Sequence, residues 1–250
     1  MGISGKRRRL LSIAASGATL TILSTSPLRV AWGETPSDPR KIGVIGSGHV
    51  GGTLGRLWVQ AGHEVMFSSR HPDELEGMVQ QLGTTAHAGT PRDAATFGDA
   101  ILLAVPYGAL PQLGRDLSSV MAGKVVLDAC NPYAWRDGEA AQLAMQQGSG
   151  VASAHFFPGT RLVRGFNSID ASIVASEAHR QPPLVAVPLA GDNPGALAVA
   201  ASLVHDAGFD PVVVGPLRAA REFEPGSSLF EVVLSAAELR QRLGIAPSGQ

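Results

Sequence analysis

A glycine-rich turn between an apolar strand and an amphipathic helix restricts the fold of this chain more than any other feature. The apolar run at residues 42–45 ends at Gly46, and apolar side chains recur at helical spacing over residues 50–61. Gly46, Gly48 and Gly51 have the spacing G-x-G-x-x-G. In such a turn the first glycine allows a sharp bend, the second leaves space for a pyrophosphate, and the third lets the helix lie close to the strand. The unit therefore predicts a dinucleotide-binding site.

The start of the predicted helix supplies the anion-binding part of this site. The first backbone N–H groups of a helix have no partner within it, and the helix dipole favours negative charge there. A second predicted strand at residues 64–67 completes the strand–helix–strand pattern. We expect the pyrophosphate to contact the whole turn, which comprises Gly46, Ser47, Gly48, His49, Val50 and Gly51.

The end of the second strand indicates which dinucleotide binds. Enzymes selective for NAD commonly carry Asp or Glu at this position to hold the ribose hydroxyls. Here the strand is followed by Ser68, Ser69 and Arg70. Two hydroxyls and a guanidinium can bind the extra phosphate of NADP, whereas a carboxylate would repel it. The residues favour NADP, with a solvated loop arginine as the alternative interpretation.

The remaining pattern predicts an α/β fold. Residues 100–105 form a continuous apolar run, which is typical of a parallel strand covered on both faces. Ala104, Val105 and Pro106 would then lie at the switch point beside the nicotinamide ribose. Further strands are expected at residues 124–128, 162–167, 184–189 and 211–214, and a final helix at residues 228–243. We predict a Rossmann-type, doubly wound, mostly parallel sheet of about eight strands with helices on both faces.

Composition excludes several classes of function. The chain has 250 residues, 44% of them hydrophobic, and a formal net charge of −1, which gives no indication of nucleic-acid binding. Because Cys130 is the single cysteine, an internal disulfide is excluded. We predict that Cys130 is a small buried residue at a strand end. The histidines are scattered, and no metal-ligand spacing is present. We predict no metal site and no catalytic acid–base or nucleophile set.

The N-terminal segment differs from the rest of the chain. A basic head at residues 6–9 precedes an uncharged stretch at residues 10–28, and Ala31 and Gly33 supply small residues at signal-peptidase spacing. We expect a twin-arginine-like signal peptide at residues 1–33, and export to the periplasm or the extracellular space. Cleavage would leave residues 34–250 without a stable membrane span. An uncleaved membrane anchor is the alternative.

Several short segments resemble the family of NADPH-dependent oxidoreductases that reduce the deazaflavin coenzyme F-420, whose relatives include the cytoplasmic domain of the STEAP metalloreductases. The resembling segments occur in the family's order, at residues 45–52, 61–65, 69–70, 104–106, 166–169, 190–192 and 220–225. The resemblance implies a single NADP-binding domain at residues 34–250, with a C-terminal α/β extension that forms the acceptor cleft. It also implies that Asn131, Phe166, Asn167 and Ile169 lie near the nicotinamide.

The expected activity is hydride transfer between NADP(H) and a small-molecule acceptor. The family implies a deazaflavin or flavin-like acceptor, although export departs from the cytoplasmic location of free NADPH and deazaflavin. A first alternative is an NADPH-dependent reductase of a small imine or carbonyl, with Tyr107 as proton donor. A second alternative is a non-enzymatic NADP-binding sensor module. Association into a homodimer stays open.

Overall fold

Strands and helices alternate along the chain and build one sheet. The computed structural model describes residues 1–2 and 38–246. These residues contribute eight strands, namely β1 (Lys41–Ile45), β2 (Glu64–Ser68), β3 (Ala86–Gly89), β4 (Ala100–Leu103), β5 (Val125–Asp128), β6 (Arg161–Arg164), β7 (Ala186–Gly191) and β8 (Asp210–Gly215). Their order in the sheet is β3-β2-β1-β4-β5-β6-β7-β8. The β6–β7 pair is antiparallel, and the other neighbouring pairs are parallel.

Helices connect the strands and cover both faces of the sheet. The described residues contain nine α-helices, namely α1 (His49–Gln60), α2 (Glu76–Leu82), α3 (Pro91–Phe97), α4 (Leu110–Met121), α5 (Ala134–Gln147), α6 (Ser149–Phe156), α7 (Ala171–Glu177), α8 (Pro194–Asp206) and α9 (Ala236–Leu243). Three 3₁₀ segments lie within the same residues, at Pro72–Leu75, Tyr107–Ala109 and Leu217–Phe223. This architecture confirms the predicted Rossmann-type fold.

The apolar strands divide their side chains between two cores. In β4, Leu102 packs on the face covered by α1 and α8, where Trp58 is fully buried. Its neighbours Ile101 and Leu103 pack on the opposite face, against α3, α4 and α5. Successive side chains of a strand point to opposite faces, so a strand buried on both sides must be apolar throughout. That requirement explains the continuous apolar run recognised in the sequence.

The strand order creates a crevice at one edge of the sheet. The chain proceeds outward from β1 through β2 to β3, and then returns so that β4 pairs with the other side of β1. The connections after β1 and β4 therefore leave the sheet in opposite directions. Ligands of doubly wound folds bind at this point, outside the carboxyl ends of the strands.

Several predicted boundaries were wrong. The predicted helix at residues 228–243 begins only at α9, because Ser235 and Glu238 form a capping box that starts the helix there. Strand β6 ends at Arg164 rather than Asn167, since Phe166 has a φ of 60° and cannot continue an extended strand. The sequence interpretation also missed α4, whose buried residues Leu110, Leu117 and Met121 lie on one helix face.

The predicted export signal, residues 1–33, lies outside the described residues apart from Met1 and Gly2. It therefore stays a prediction, as does the choice between cleavage and membrane anchoring. Within the described part of the chain, none of the helices combines the length and the apolar character needed to cross a bilayer.

Candidate functional site

A cavity of about 550 Å³ opens at the carboxyl ends of β1, β2 and β4. It occupies the switch point of the sheet, where the fold binds ligands. Nine of the residues predicted to bind the cofactor line this cavity, namely Gly46, Ser47, Gly48, Ser68, Ser69, Arg70, Ala104, Val105 and Pro106. The glycine turn, the end of β2 and the end of β4 thus form one continuous wall.

The three glycines of the turn have different surroundings. Gly46 has a φ of 98°, and a Cβ atom there would overlap the carbonyl oxygen of Ala104. A Cβ on Gly51 would overlap the carbonyl oxygen of Gly46, so this glycine lets α1 lie close to β1. A Cβ on Gly48 would meet no atom within 4 Å. The open position at Gly48 leaves room for an anion beside the main chain.

The start of α1 is free to receive that anion. Gly48 is the N-cap residue and has no side chain to occupy the free N–H groups, and the first turn holds no acidic residue. Ser47 Oγ is buried and has no hydrogen-bond partner among the described residues. A buried hydroxyl without a partner costs free energy unless a ligand or water fills the position. The donors here match a pyrophosphate group.

The three residues predicted to bind the extra phosphate, at the end of β2, differ in whether their side chains are free to bind a ligand. The Ser68 hydroxyl is buried and donates to the Val44 carbonyl oxygen at 2.8 Å, so its proton is not free for a phosphate. Ser69 Oγ accepts a hydrogen bond from the backbone N–H of His71 at 3.0 Å and keeps its own proton available. Arg70 lines the cavity and makes no hydrogen bond or ion pair with another described residue. Among the described residues of this wall, the guanidinium is therefore the group most available to a phosphate.

The cavity wall at the end of β4 is held by a contact with the end of β5. The backbone N–H of Val105 donates to Cys130 Sγ at 3.5 Å. Cys130 is 2% exposed at the end of β5, as the sequence predicted, and burial raises the pKa of its thiol well above the usual value. A neutral, buried thiol acts here as a packing and hydrogen-bonding group.

Asn131 and Asn167 meet at the ends of β5 and β6 but do not line this cavity. Asn131 Nδ2 donates to the Asn167 carbonyl oxygen at 2.6 Å, and Asn167 Nδ2 donates to the Phe223 carbonyl oxygen at 3.0 Å. Asn167 Oδ1 is buried without a partner among the described residues. The pair thus joins three loops next to the switch point.

A buried ion pair that the sequence interpretation missed supports these loops. Asp128 and Arg164 are both 0% exposed, and Arg164 Nη1 lies 2.8 Å from Asp128 Oδ2. Asp128 Oδ1 also accepts from the Cys130 N–H at 2.9 Å, and Arg164 Nη1 donates to the Cys130 carbonyl oxygen at 2.7 Å. The pair therefore holds the main chain immediately before Asn131. The charged residues ending two adjacent apolar strands were the available sequence signal.

The other four predicted residues also lie outside the main cavity. Val50 is half-buried on α1 and packs against the core, while Gly51 is buried beneath the turn. His49 lines a separate cavity of about 380 Å³ together with Asp170. Ile169 is 7% exposed and borders a third, much smaller groove.

Two aromatic residues occupy the core rather than the cleft. Phe166 was expected near the nicotinamide, but it is 1% exposed and packs edge-to-face on Phe209 with ring centroids 5.7 Å apart. Tyr107 was the proton donor of the imine alternative, but it is fully buried and donates to the Ser149 carbonyl oxygen at 2.7 Å. Burial, with the nearby charge of Asp128, raises the pKa of Tyr107 far above its usual value. The imine or carbonyl reductase alternative therefore loses the residue expected to act as its proton donor.

Sequence reasoning also missed part of the cavity wall. Most of the missed residues belong to the 3₁₀ segments and helix starts around the cavity. The missed residues are Ile45, Glu74, Leu75, Pro91, Ala109 and Leu113. Arg70 and Glu74 are the only charged residues that line the cavity among residues 38–246. Within the same residues, no three His, Cys, Asp or Glu side chains are grouped to hold a metal ion.

Residues 41–132 match the family model described as "NADP oxidoreductase coenzyme F420-dependent". This part of the chain is similar to that family. The match covers β1 to β5 and so includes the whole wall of the main cavity. The family is one of NADP-binding oxidoreductases, and the predicted resemblance is confirmed.

Curated relatives match the chain over a longer stretch. The chain is 29% identical over 197 residues to metalloreductase STEAP3 of Rattus norvegicus, which covers 76% of this chain and 37% of the relative. It is 28% identical over 192 residues to human metalloreductase STEAP2, which covers 75% of this chain and 36% of the relative. The chain therefore spans a little over a third of the length of these relatives.

Solved structures share the fold over most of the chain. A hypothetical protein of Sinorhizobium meliloti is 25% identical, with a TM-score of 0.68 over 79% of this chain and 96% of that one. An Arthrobacter protein proposed to be an F420-dependent NADP-reductase is 24% identical, with a TM-score of 0.64 over 83% of this chain and 96% of that one. An imine reductase of Myxococcus stipitatus is 20% identical with a TM-score of 0.54, covering 83% of this chain and 62% of that one.

Proposed function

We propose that the protein binds NADP(H) in the main cavity and transfers a hydride between it and a deazaflavin or flavin-like acceptor. The observation that carries the proposal is that one cavity combines an open Gly48 position with an Arg70 that pairs with no other described residue. The first can accept a pyrophosphate, and the second can accept the phosphate that distinguishes NADP from NAD.

The residues present fit NADP(H) on structural grounds. The Ser47 hydroxyl has no hydrogen-bond partner in the described part of the chain, and together with the uncapped start of α1 it supplies donors for a pyrophosphate. Ser69 and Arg70 supply donors for the adenosine phosphate, and no carboxylate follows β2 directly. The walls at Val105 and Pro106 would exclude water from the nicotinamide end. Bound NADPH supplies two electrons and one proton as a hydride, and solvent supplies the second proton to the acceptor.

The cavity favours a ring acceptor over a carbonyl or an imine. Hydride transfer between two rings depends mainly on position and on exclusion of water, whereas carbonyl reduction gains from a positioned proton donor. Among the described residues that line the cavity, none is a histidine or a tyrosine. Tyr107 is buried outside the cavity, and its hydroxyl donates a hydrogen bond to the Ser149 carbonyl oxygen. The protein therefore binds and orients the reactants, while the acceptor itself provides the redox chemistry.

Acceptor-dependent oxidation of NADPH tests the proposal directly. Purified full-length protein would be supplied with NADPH and, separately, with coenzyme F-420, FMN, a ferric chelate and a cyclic imine. We expect a loss of absorbance at the NADPH wavelength with the deazaflavin or flavin, and little with NADH. Turnover with the cyclic imine alone would support the reductase alternative, and tight NADPH binding without turnover on any acceptor would support the sensor.

A further inference from the structure

We infer that Tyr133, Arg136 and Trp135 form a binding platform for the planar ring of the electron acceptor. The platform lies at residues 133–136, after β5, and none of these residues belongs to the predicted cofactor site or lines the main cavity. The inference rests on the proposed function and deepens it, because it assigns a place to the second reactant.

The three side chains form a compact cluster around one stacked pair of rings. The rings of Tyr133 and Trp135 are stacked, with centroids 6.0 Å apart and an interplanar angle of 29°. The guanidinium carbon of Arg136 lies 5.0 Å from the centroid of the Tyr133 ring and 5.8 Å from that of Trp135. Flat groups held in this way present π surface to a further flat group.

Asp137 fixes the orientation of the stack. Its carboxylate accepts two hydrogen bonds from Arg136, from Nε and Nη2, each at 2.9 Å. The same carboxylate accepts from the backbone N–H of Tyr133 at 2.8 Å. Arg136 Nη2 also donates to the Asn131 carbonyl oxygen at 2.9 Å. A bidentate pair with these further bonds holds the guanidinium plane without any ligand.

The charge of the platform is balanced internally. Burial alone would raise the pKa of Asp137, but hydrogen bonds from Arg136, Tyr133 and Gly108 outweigh it and lower the pKa. The carboxylate is therefore ionised beside Arg136 at neutral pH. Because the two charges neutralise each other, the stack favours a ligand that binds through its ring face.

Contacts of Asp137 connect the platform to the wall of the main cavity. Its Oδ1 accepts from the backbone N–H of Gly108 at 3.0 Å. Gly108 lies between Pro106 and Ala109, which both line the cavity. On the other side, Asn131 connects the platform to Asn167. Asp137, the residue after Arg136, thus packs against the backbone that forms one wall of the main cavity.

The exposure of Trp135 points to a ligand surface. Trp135 is 81% exposed, whereas Trp58 is fully buried. An indole on the surface gains little from the hydrophobic effect, but ordering it beforehand lowers the entropy lost when a ring binds. A planar acceptor bound there would cover the exposed face of the indole and bury its apolar surface.

Substitution of Trp135 tests the platform in the full-length protein. We expect Trp135→Ala to raise the Kd for FMN, and the KM for whichever planar acceptor is reduced, by about 3- to 10-fold, the range that a single aromatic stack contributes. Trp135→Phe should recover most of the affinity, because phenylalanine keeps a flat ring. The Kd for NADPH and the kcat should change less than about 2-fold.

The matched control is Met145→Ala, which removes another exposed apolar side chain from α5 and should leave every constant unchanged. FMN binding is followed by quenching of FMN fluorescence, so the platform can be tested even if no acceptor turns over. Equal FMN affinity in wild type and Trp135→Ala would overturn the inference. A Trp135 that is protected by a second copy of the chain in gel filtration and quenching experiments would overturn it as well.

Discussion

A side chain would meet different surroundings at each glycine of the nucleotide turn. At Gly46 and Gly51 a Cβ would overlap a backbone carbonyl oxygen, whereas at Gly48 it would enter open space. The first two positions are thus required by the fold, and the third is free to serve a ligand. Stability and binding can be separated within this one motif.

Gly48→Val should abolish binding of NADPH while the protein stays folded, because the isopropyl group would occupy the space needed by the pyrophosphate. Gly51→Ala is the matched control for stability. Its methyl group would press against the Gly46 carbonyl and lower the free energy of unfolding by about 1–3 kcal/mol. Fluorescence titration and urea unfolding measure the two effects, and full NADPH affinity in Gly48→Val would contradict the role assigned to the turn.

Arg70→Ala should weaken NADPH binding by about 10-fold or more and change NADH binding little, since a charge-assisted hydrogen bond contributes about 1.5–3 kcal/mol. The Kd values of both nucleotides, measured by calorimetry, give the comparison. Arg180→Ala is a suitable control, because Arg180 pairs with Glu177 and does not line the cavity. Equal losses for both nucleotides would mean that Arg70 does not bind the extra phosphate.

At the scale of single elements, capping groups determine where helices begin beside the cleft. Thr90 precedes α3, and its Oγ1 accepts from the Asp93 N–H at 3.2 Å while Asp93 Oδ2 accepts from the Thr90 N–H at 2.9 Å. Asp93 Oδ2 also accepts from Thr90 Oγ1 at 2.6 Å. The cap fixes Pro91, the first residue of α3, in the cavity wall.

Thr90→Ala should lower the free energy of unfolding by about 1 kcal/mol at pH 7. The Thr90 hydroxyl and N–H lower the pKa of Asp93 below its unfolded value of about 4. A depressed folded pKa gives stability that is present above the unfolded pKa and is lost as the pH falls through the folded value. The difference between wild type and variant should therefore narrow below about pH 4 in urea titrations. A constant difference would exclude the carboxylate from the cap.

The elements that could be predicted from sequence are those with local signals. Glycine offsets indicated the turn, and the charge pattern after β2 indicated Arg70. The burial of Tyr107 depends on Ser149, which is 42 positions away, and the Asn131–Asn167 contact joins residues 36 positions apart. No local pattern reports such pairings. Helix α4 did carry a local signal, in the helical spacing of Leu110, Leu117 and Met121.

Across the whole molecule, the buried pair of Asp128 and Arg164 links two neighbouring strands in the interior of the sheet. It joins the ends of β5 and β6, immediately before the antiparallel step to β7. An ion pair with both partners fully buried is strongly destabilising when one partner is removed, because the other charge then has no counterion. The fold and the loop that carries Asn131 therefore depend on the same contact.

Asp128→Asn should lower the free energy of unfolding by about 3–5 kcal/mol, since Arg164 would stay charged and buried. Glu177→Gln provides the control, because the Glu177–Arg180 pair is partly exposed and should contribute about 0–1 kcal/mol. Urea unfolding of both variants gives the comparison. A small loss in Asp128→Asn would mean that water or another group compensates Arg164.

The Ser47 hydroxyl, to which no other described residue hydrogen-bonds, has a consequence for the lifetime of the protein in a cell. A molecule that binds only the native state raises its stability by mass action, by about 2.7 kcal/mol at a concentration 100 times Kd. If NADPH fills the turn, chains made during a shortage of reducing equivalents would unfold more often and be degraded sooner. The abundance of this protein would then follow the supply of its own coenzyme.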